Sequence, residues 1–209
     1  MANHVYYNID IDSSEAGLMV LEDALVTTTK TQLNWEDKEI QVEELAPIHE
    51  LAFMPKAEKD EHGDPVDSYS WYIDNVGAKW CHIEEWEPMH IGGYSAWSAP
   101  FYMAENIAKF IGQTDPNVTL SMTYEDEFRN FIGVANVSYY EGEVHIDTEE
   151  TDIDELYELM REHYGLEEKD TEADDFDPHE ERKDTEGNLS YPNEYVDDLV
   201  YEFFAQHRR

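Results

Sequence analysis

Asp10 and Asp12 are the first side chains in the sequence whose type and spacing could support catalysis. They alternate along a predicted strand, so both point to the same face. Two carboxylates on one face can hold a divalent metal ion, as a nuclease-type enzyme requires. The simpler interpretation is an exposed strand face in a very acidic chain.

Cys81 and His82 bring a thiol and an imidazole together near several acidic side chains. Their spacing to Glu84, Glu85 and His90 matches no zinc motif. A nucleophilic Cys–His pair must meet in space, whereas neighbours on a strand point to opposite faces. Cys81 is also the only cysteine, so the chain cannot form an internal disulfide. We therefore predict no catalytic or metal centre here.

A third candidate lies in the acidic C-terminal region. Asp170, Glu172, Asp174 and Glu181 occupy positions 1, 3, 5 and 12 of a calcium-binding loop. Position 6, which requires glycine, is Asp175 instead. The sequence also contains no glycine-rich phosphate loop and no nucleophile elbow. We therefore expect a non-enzymatic protein without a cofactor.

Charge is the dominant property of the sequence. There are 50 acidic and 13 basic residues, which gives a net charge of −37. This is the charge of about 18 base pairs of duplex DNA. Phosphates and anionic lipids would be repelled, so we expect neither direct nucleic-acid binding nor membrane binding. Three explanations remain: attraction to a basic protein surface, solubility in a high-salt cytoplasm, or general solvation.

The beginning of the chain does not look like a signal peptide, because no positively charged segment precedes an apolar stretch. No window of about 18 apolar residues suggests a membrane span. The expected location is the cytoplasm, which is the host cytoplasm if a phage encodes the protein.

The elements that would position these residues alternate between strands and helices. A strand is predicted over Val5–Ile11, followed by a helix capped by Ser13 and Ser14. Further strands are predicted at 70–75 and 78–83 around Gly77, and the segment 55–67 is predicted to be a loop. The remaining predicted elements are a helix from Pro100 to Gly112, a half-buried strand over 118–124, and a hairpin turning at Glu141-Gly142. This order predicts an α+β fold with a ferredoxin-like antiparallel sheet and packed helices over residues 1–146.

Residues 147–209 are predicted to form an acidic helical extension with a net charge of −17. Thr151 and Asp154 have the spacing of a capping box, and Gly165 would end that helix. A second helix begins near Pro192. Its apolar stripe from Tyr195 to Phe204 would pack on its own domain or form a homodimer seam. The segment near 166–190 is predicted to be flexible.

Two segments that contain tryptophans resemble a known protein family. Residues 71–80 (WYIDNVGAKW) and 95–100 (SAWSAP) resemble the YubB-type ferredoxin-like domain of phage and plasmid proteins, which has a Trp…Asn-x-Gly-x-Lys-Trp strand pair before a Trp-Ser-Pro-Pro-like helix start. Ala99 stands where the family has its first proline, and the family's opening Asn-Trp-Cys is absent. The resemblance implies the fold and a setting on mobile elements, but no catalytic residues. Trp71, Trp80, Trp86 and Trp97 are predicted core residues, with a stacking platform for RNA bases as the alternative.

These observations favour a DNA mimic of anti-restriction or anti-CRISPR type, which blocks the nucleic-acid cleft of a basic host or defence protein. The alternatives are an acidic adaptor or inhibitor without DNA mimicry, and a metal-dependent enzyme using Asp10 and Asp12. The predicted partner-binding residues are all acidic and lie in the tail: Glu155, Glu158, Glu162, Asp174, Asp175, Asp177, Asp197 and Asp198.

Overall fold

A computed structural model describes residues 3–33, 35, 38–128, 130–171 and 177–208. The first half of the chain contains the following elements in order: β1 (His4–Asp12), α1 (Glu15–Ala24), β2 (Thr27–Leu33), β3 (Glu39–Leu45), a 3₁₀ turn (Ile48–Glu50), α2 (Ser68–Asn75), β4 (Cys81–Glu87) and β5 (His90–Ala96). The second half continues with α3 (Phe101–Gly112), β6 (Thr119–Asp126), β7 (Phe131–Tyr140), β8 (Glu143–Asp152), α4 (Ile153–Tyr164), α5 (Glu168–Thr171), β9 (Arg182–Lys183), β10 (Leu189–Ser190) and α6 (Pro192–His207).

The fold is α+β and is built on a six-stranded antiparallel sheet. Its strand order is β4-β5-β1-β6-β7-β8, so β1 lies in the middle of the sheet although it is first in the chain. β2 with β3 and β9 with β10 form two separate hairpins. The predicted α+β class is therefore confirmed, while the hairpin of β2 and β3 was not predicted.

The main core lies on the face of the sheet that α1 and α3 cover. Val5, Tyr7 and Ile9 alternate along β1 and are almost completely buried, as a strand with one apolar face requires. The buried stripe of α3, including Met103 and Ile107, packs against this face. These residues confirm the predicted strand at 5–11 and the predicted helix, which begins one residue after Pro100.

The opposite face of the sheet is partly covered by the tail. Ile132 on β7 packs with Leu156 of α4 and Val200 of α6. β6 confirms the predicted strand at 118–124, but Ser121 and Thr123 are buried as well, so the prediction that this strand is half-buried is wrong. The alternation of residue types predicted a polar, exposed face. Instead, the Ser121 hydroxyl donates to the Asn136 side chain, and the Thr123 hydroxyl accepts from Arg208, which follows α6.

Local signals explain where the first helix begins and where the fourth begins and ends. The Ser14 side chain accepts a hydrogen bond from the Gly17 N–H and caps α1, as predicted. α4 is capped by Asp152, which accepts from the Glu155 N–H, so the prediction of Thr151 as the cap is wrong by one residue. Gly165 ends α4 in the left-handed conformation at φ 65°, as predicted.

The predicted strand at 70–75 is wrong, because this segment forms α2. Asp67 caps it by accepting hydrogen bonds from the backbone N–H and the hydroxyl of Ser70. Gly77, at φ 89°, then turns the chain toward β4. The strand pair that the family resemblance implied between Trp71 and Trp80 is therefore absent from these residues, and the observed pair is β4 with β5.

The loop at 55–67 and the turn at Glu141-Gly142 connect elements of the fold. The predicted loop at 55–67 contains no strand or helix. The predicted hairpin at Glu141-Gly142 is confirmed, with φ angles of 54° and 90°, but β8 continues to Asp152. The proposed boundary after residue 146 therefore falls inside β8, and the described part of 166–190 contains α5 and the hairpin of β9 and β10. Among the described residues, no helix is long and apolar enough to cross a membrane.

Candidate interaction surface

The predicted partner-binding carboxylates that the structure describes are all exposed. Glu155, Glu158 and Glu162 lie on the outer side of α4, and Asp197 and Asp198 lie on the outer side of α6. Asp177 is exposed in the segment before β9. Asp174 and Asp175 lie outside the described residues.

Apolar packing fixes the direction in which α4 presents its carboxylates. Leu156, Met160 and Tyr164 are buried on its inner side, at helical spacing. The His163 ring stacks on Tyr195 of α6 at a centroid distance of 4.1 Å and an interplanar angle of 8°. The two helices therefore lie against each other, and their outer carboxylates belong to adjoining surfaces.

α6 is held in the same way. Val196 and Val200 are buried, and Leu199, Phe203 and Phe204 pack around them. The chain's own sheet and α4 thus cover part of the apolar stripe, whose remaining residues are half-buried. The start of α6 is also tied to the preceding segment, because the Asn193 N–H donates to the Pro178 carbonyl at 3.1 Å.

The hairpin of β9 and β10 is anchored to α4. The Tyr164 hydroxyl lies 2.7 Å from the Ser190 hydroxyl. The Thr185 N–H donates to the His163 carbonyl, and His163 Nε2 lies 3.6 Å from Asp184 Oδ2. Hydrogen bonds from the Asn188 side chain and from nearby backbone N–H groups lower the pKa of the Asp184 carboxyl. The acidic segment near 184 is therefore held in one place.

β8 extends the acidic surface beyond the residues that sequence reasoning selected. It is an edge strand, and it exposes Glu143, Asp147, Glu149, Glu150 and Asp152. The signal was available in the acidic run that follows His145, but that run was assigned to the tail and not to a strand. Carboxylates on an edge strand also discourage pairing with other chains, which is a purely structural reason for their presence.

Asp10 and Asp12 lie on the same face of β1, as predicted, and Asp10 has two partners there. Asp10 Oδ1 lies 2.9 Å from His90 Nδ1, and its Oδ2 lies 3.0 Å from Arg208 Nη1. Asp10 is therefore engaged by cationic or donor groups and not by a second carboxylate. Within the described residues, no group of three or more metal-binding side chains is close enough to hold an ion.

Cys81 and His82 point to opposite sides of β4. Cys81 is buried and donates to the Tyr7 hydroxyl at 3.3 Å, while His82 is exposed. Burial raises the pKa of the Cys81 thiol to about 12, which keeps it protonated and unreactive. The proposed calcium loop includes Glu172, Asp174 and Asp175, which lie outside the described residues.

The four tryptophans singled out from the sequence lie in three different environments. Trp71 and Trp86 are partly buried against the main core, in line with the predicted core role. Trp97 is 54% exposed and lies under the Lys79 ammonium, 4.5 Å from the ring centroid, so its core assignment is wrong. Trp80 belongs to a group of rings that sequence reasoning did not find.

These rings lie on the part of the sheet that α4 and α6 leave open. We call them the aromatic face: His4, Tyr6, Trp80, His82 and Tyr94. The Tyr94 ring lies 5.3 Å from His4, 5.8 Å from Trp80 and 5.2 Å from His82, measured between centroids. Strand pairing places Tyr6 beside Tyr94 and Tyr94 beside His82, so the rings come from three strands and the turn before β4.

Comparisons of the chain with protein families, with curated proteins and with solved structures found no match.

Proposed function

We propose that the protein is a DNA mimic that blocks the nucleic-acid cleft of a basic host or defence protein. The observation that carries this proposal is the exposed carboxylate surface of α4 and α6, on a chain with a net charge of −37. Each helix buries its apolar side and presents acidic side chains outward, so the charge is held in fixed positions.

Such a surface can bind protein sites that normally hold phosphates. A basic cleft that binds phosphates through arginine and lysine can accept carboxylates with the same charge-assisted hydrogen bonds. Long-range attraction makes the association fast and strongly dependent on salt. The exposed carboxylates of β8 enlarge the surface and lie next to α4 in the chain.

The proposal includes a ferredoxin-like fold for the main domain. The order β1-α1-β4-β5-α3-β6, with β2, β3 and α2 inserted before β4, supports a ferredoxin-like βαββαβ unit to which β7 and β8 add two strands at the β6 edge. We propose this fold, the relationship to the YubB-type family and the setting on a phage or mobile element together. The tail helices would then be an addition to the common unit.

A capture experiment tests the function. The wild-type protein is immobilised, incubated with host lysate and eluted with competing duplex DNA. We expect a nucleic-acid-binding protein that the DNA releases. A captured protein that ignores the DNA would instead support an acidic adaptor or inhibitor without mimicry.

A matched pair of variants tests the surface. The first replaces Glu155, Glu158 and Glu162 by Gln, and Asp197 and Asp198 by Asn. The control neutralises the same number of exposed carboxylates elsewhere, at Glu22, Asp23, Glu58, Glu61 and Asp74.

We expect the tail variant to lose most of the captured protein and the control to keep it, because position and not net charge decides the contact. Equal loss in both variants would indicate non-specific attraction. Unchanged binding of the tail variant would refute the assignment of the tail as the contact surface.

A further inference from the structure

Among the described residues, the aromatic face is the largest group of neighbouring rings that is partly exposed. Tyr6 is 49% exposed and His82 is exposed, although both lie on strands of the main sheet. α6 stops short of them, because its last residues lie over β6 and β7: the His207 carbonyl accepts a hydrogen bond from the Asn136 side chain. The sheet around β4, β5 and β1 is therefore open on this side.

Carboxylates surround these rings. Glu127 Oε2 lies 3.5 Å from His4 Nδ1, and Glu125 pairs with Tyr6 in the register of β1 and β6. Glu85 extends from the edge strand, with a side chain that is 78% exposed. Nucleic-acid bases could stack on such rings, but their phosphates would be repelled by the carboxylates. The charge instead suits a cation.

Arg208, which follows α6, shows what kind of cation fits. Arg208 crosses onto this side of the sheet, where its Nη1 lies 3.0 Å from Asp10 Oδ2 and its Nη2 donates to the Thr123 hydroxyl at 3.2 Å. Asp10 and Tyr6 lie four residues apart on β1, so their side chains point to the same face. A carboxylate and a hydroxyl therefore already bind one guanidinium group on the same face of the sheet, four residues along β1 from Tyr6.

We propose that the aromatic face is a docking surface for an arginine-bearing segment of the basic partner protein. This inference rests on the proposed function and names a second contact for the same partner. Arginine suits the surface better than lysine, because its planar guanidinium stacks on aromatic rings and donates to a carboxylate in the same plane.

Binding of two labelled peptides tests the proposal. One alternates arginine with glycine, and the other has lysine in place of each arginine. We expect the wild-type protein to bind the arginine peptide several times more tightly in fluorescence anisotropy, at a salt concentration of about 0.1 M. Equal affinity for the two peptides would overturn the proposal, because net charge alone would then explain the binding.

Variants locate the contact. Tyr6→Leu combined with Tyr94→Leu keeps apolar bulk but removes two rings, and we expect it to weaken arginine-peptide binding about 5- to 25-fold and to abolish the preference over lysine. The control combines Tyr69→Leu and Tyr102→Leu, two exposed tyrosines on α2 and α3, and should bind as the wild type does. If the double variant does not fold, Tyr6→Leu alone should weaken binding about two- to fivefold. An unchanged affinity of the folded Tyr6 variant would refute the proposal.

The tail variant with neutralised Glu155, Glu158, Glu162, Asp197 and Asp198 separates this inference from the proposed function. It should bind both peptides more weakly but retain the preference for arginine, because its aromatic face is intact. If DNA releases no captured partner while the arginine preference depends on Tyr6, the DNA-mimic function fails and the aromatic face remains a contact surface. If DNA releases the partner but the aromatic variant behaves as the wild type, only this inference fails.

Discussion

At the scale of single residues, Asp115 joins the start of α1 to the end of α3. It lies in the connection between α3 and β6, and it is buried. Its Oδ2 accepts hydrogen bonds from the Ser14 N–H at 2.5 Å and from the Ser13 hydroxyl at 2.8 Å, and its Oδ1 accepts from the Asn117 N–H at 3.0 Å. One carboxylate thus holds the start of α1 against the end of α3.

These contacts lead to a pH prediction. The backbone N–H groups of Ser14 and Asn117, with the Ser13 hydroxyl, lower the pKa of the Asp115 carboxyl from 3.8 to about 2. A lowered pKa in the folded state stabilises the fold above the ordinary value, and this stabilisation is lost as the pH falls from about 4 to about 2. Asp115→Asn should therefore unfold at a lower urea concentration than the wild type at pH 7.

The two unfolding midpoints should converge as the pH approaches about 2, because both proteins then carry a neutral group at this position. Urea titrations at several pH values, followed by circular dichroism, measure the convergence. Asp74→Asn, at an exposed position on α2, is the control and should follow the wild type throughout. A difference between Asp115→Asn and the wild type that is the same at pH 7 and at pH 2.5 would contradict this account.

At the scale of elements, β4 can lie close to β5 because a glycine of β5 has no side chain at the point of contact. On Gly93 of β5, an added Cβ would lie 2.0 Å from the His82 carbonyl oxygen, which belongs to the backbone of β4 and cannot turn away. On the neighbouring Gly92, an added Cβ would lie 3.0 Å from the Asn8 side chain, which can rotate. The two glycines point to opposite faces of the same strand, so they form a natural pair for comparison.

We predict that Gly93→Ala lowers the free energy of unfolding by about 1–3 kcal/mol, because β4 must move away from β5. Gly92→Ala should be neutral or stabilising by up to about 1 kcal/mol, since glycine in a strand costs backbone entropy. Urea unfolding of both variants measures the difference. Equal stability of the two would show that the β4 edge adjusts without cost.

The sequence predicted those elements whose boundaries depend on local chemistry. Ser14, Pro100 and Gly165 correctly marked helix ends, and Glu141-Gly142 correctly marked a turn. It failed at α2, where the aromatic and β-branched residues at 71–73 favour a strand by propensity but Asp67 and Gly77 delimit a helix. Propensity over eight residues is weaker than the packing of α2 against α3.

At the scale of the whole molecule, the net charge of −37 opposes the compact state. The core on the α1 and α3 face is large, with residues such as Ile9, Ile107 and Met122 fully buried, so we expect the protein to stay folded at low salt. Repulsion between exposed carboxylates should weaken as the Debye length falls from about 30 Å at 0.01 M salt to about 10 Å at 0.1 M.

We therefore predict that the melting temperature rises by several degrees between about 0.01 M and 0.3 M sodium chloride, with most of the rise below 0.1 M. Thermal unfolding followed by circular dichroism measures it. Complete unfolding at low salt would instead indicate a surface adapted to a high-salt cytoplasm, and a melting temperature independent of salt would mean that the carboxylates are too well separated to repel one another.

By itself, the sequence determined the α+β class, the acidic character, several helix ends and the outward direction of the described tail carboxylates, because periodicity and capping are local properties. Only the tertiary structure decided that α4 and α6 pack on the second face of the sheet. It also brought the rings of His4, Trp80 and Tyr94 together and placed Arg208 on Asp10. These contacts join residues far apart in the chain, and their pairing depends on the strand order, which no local pattern encodes.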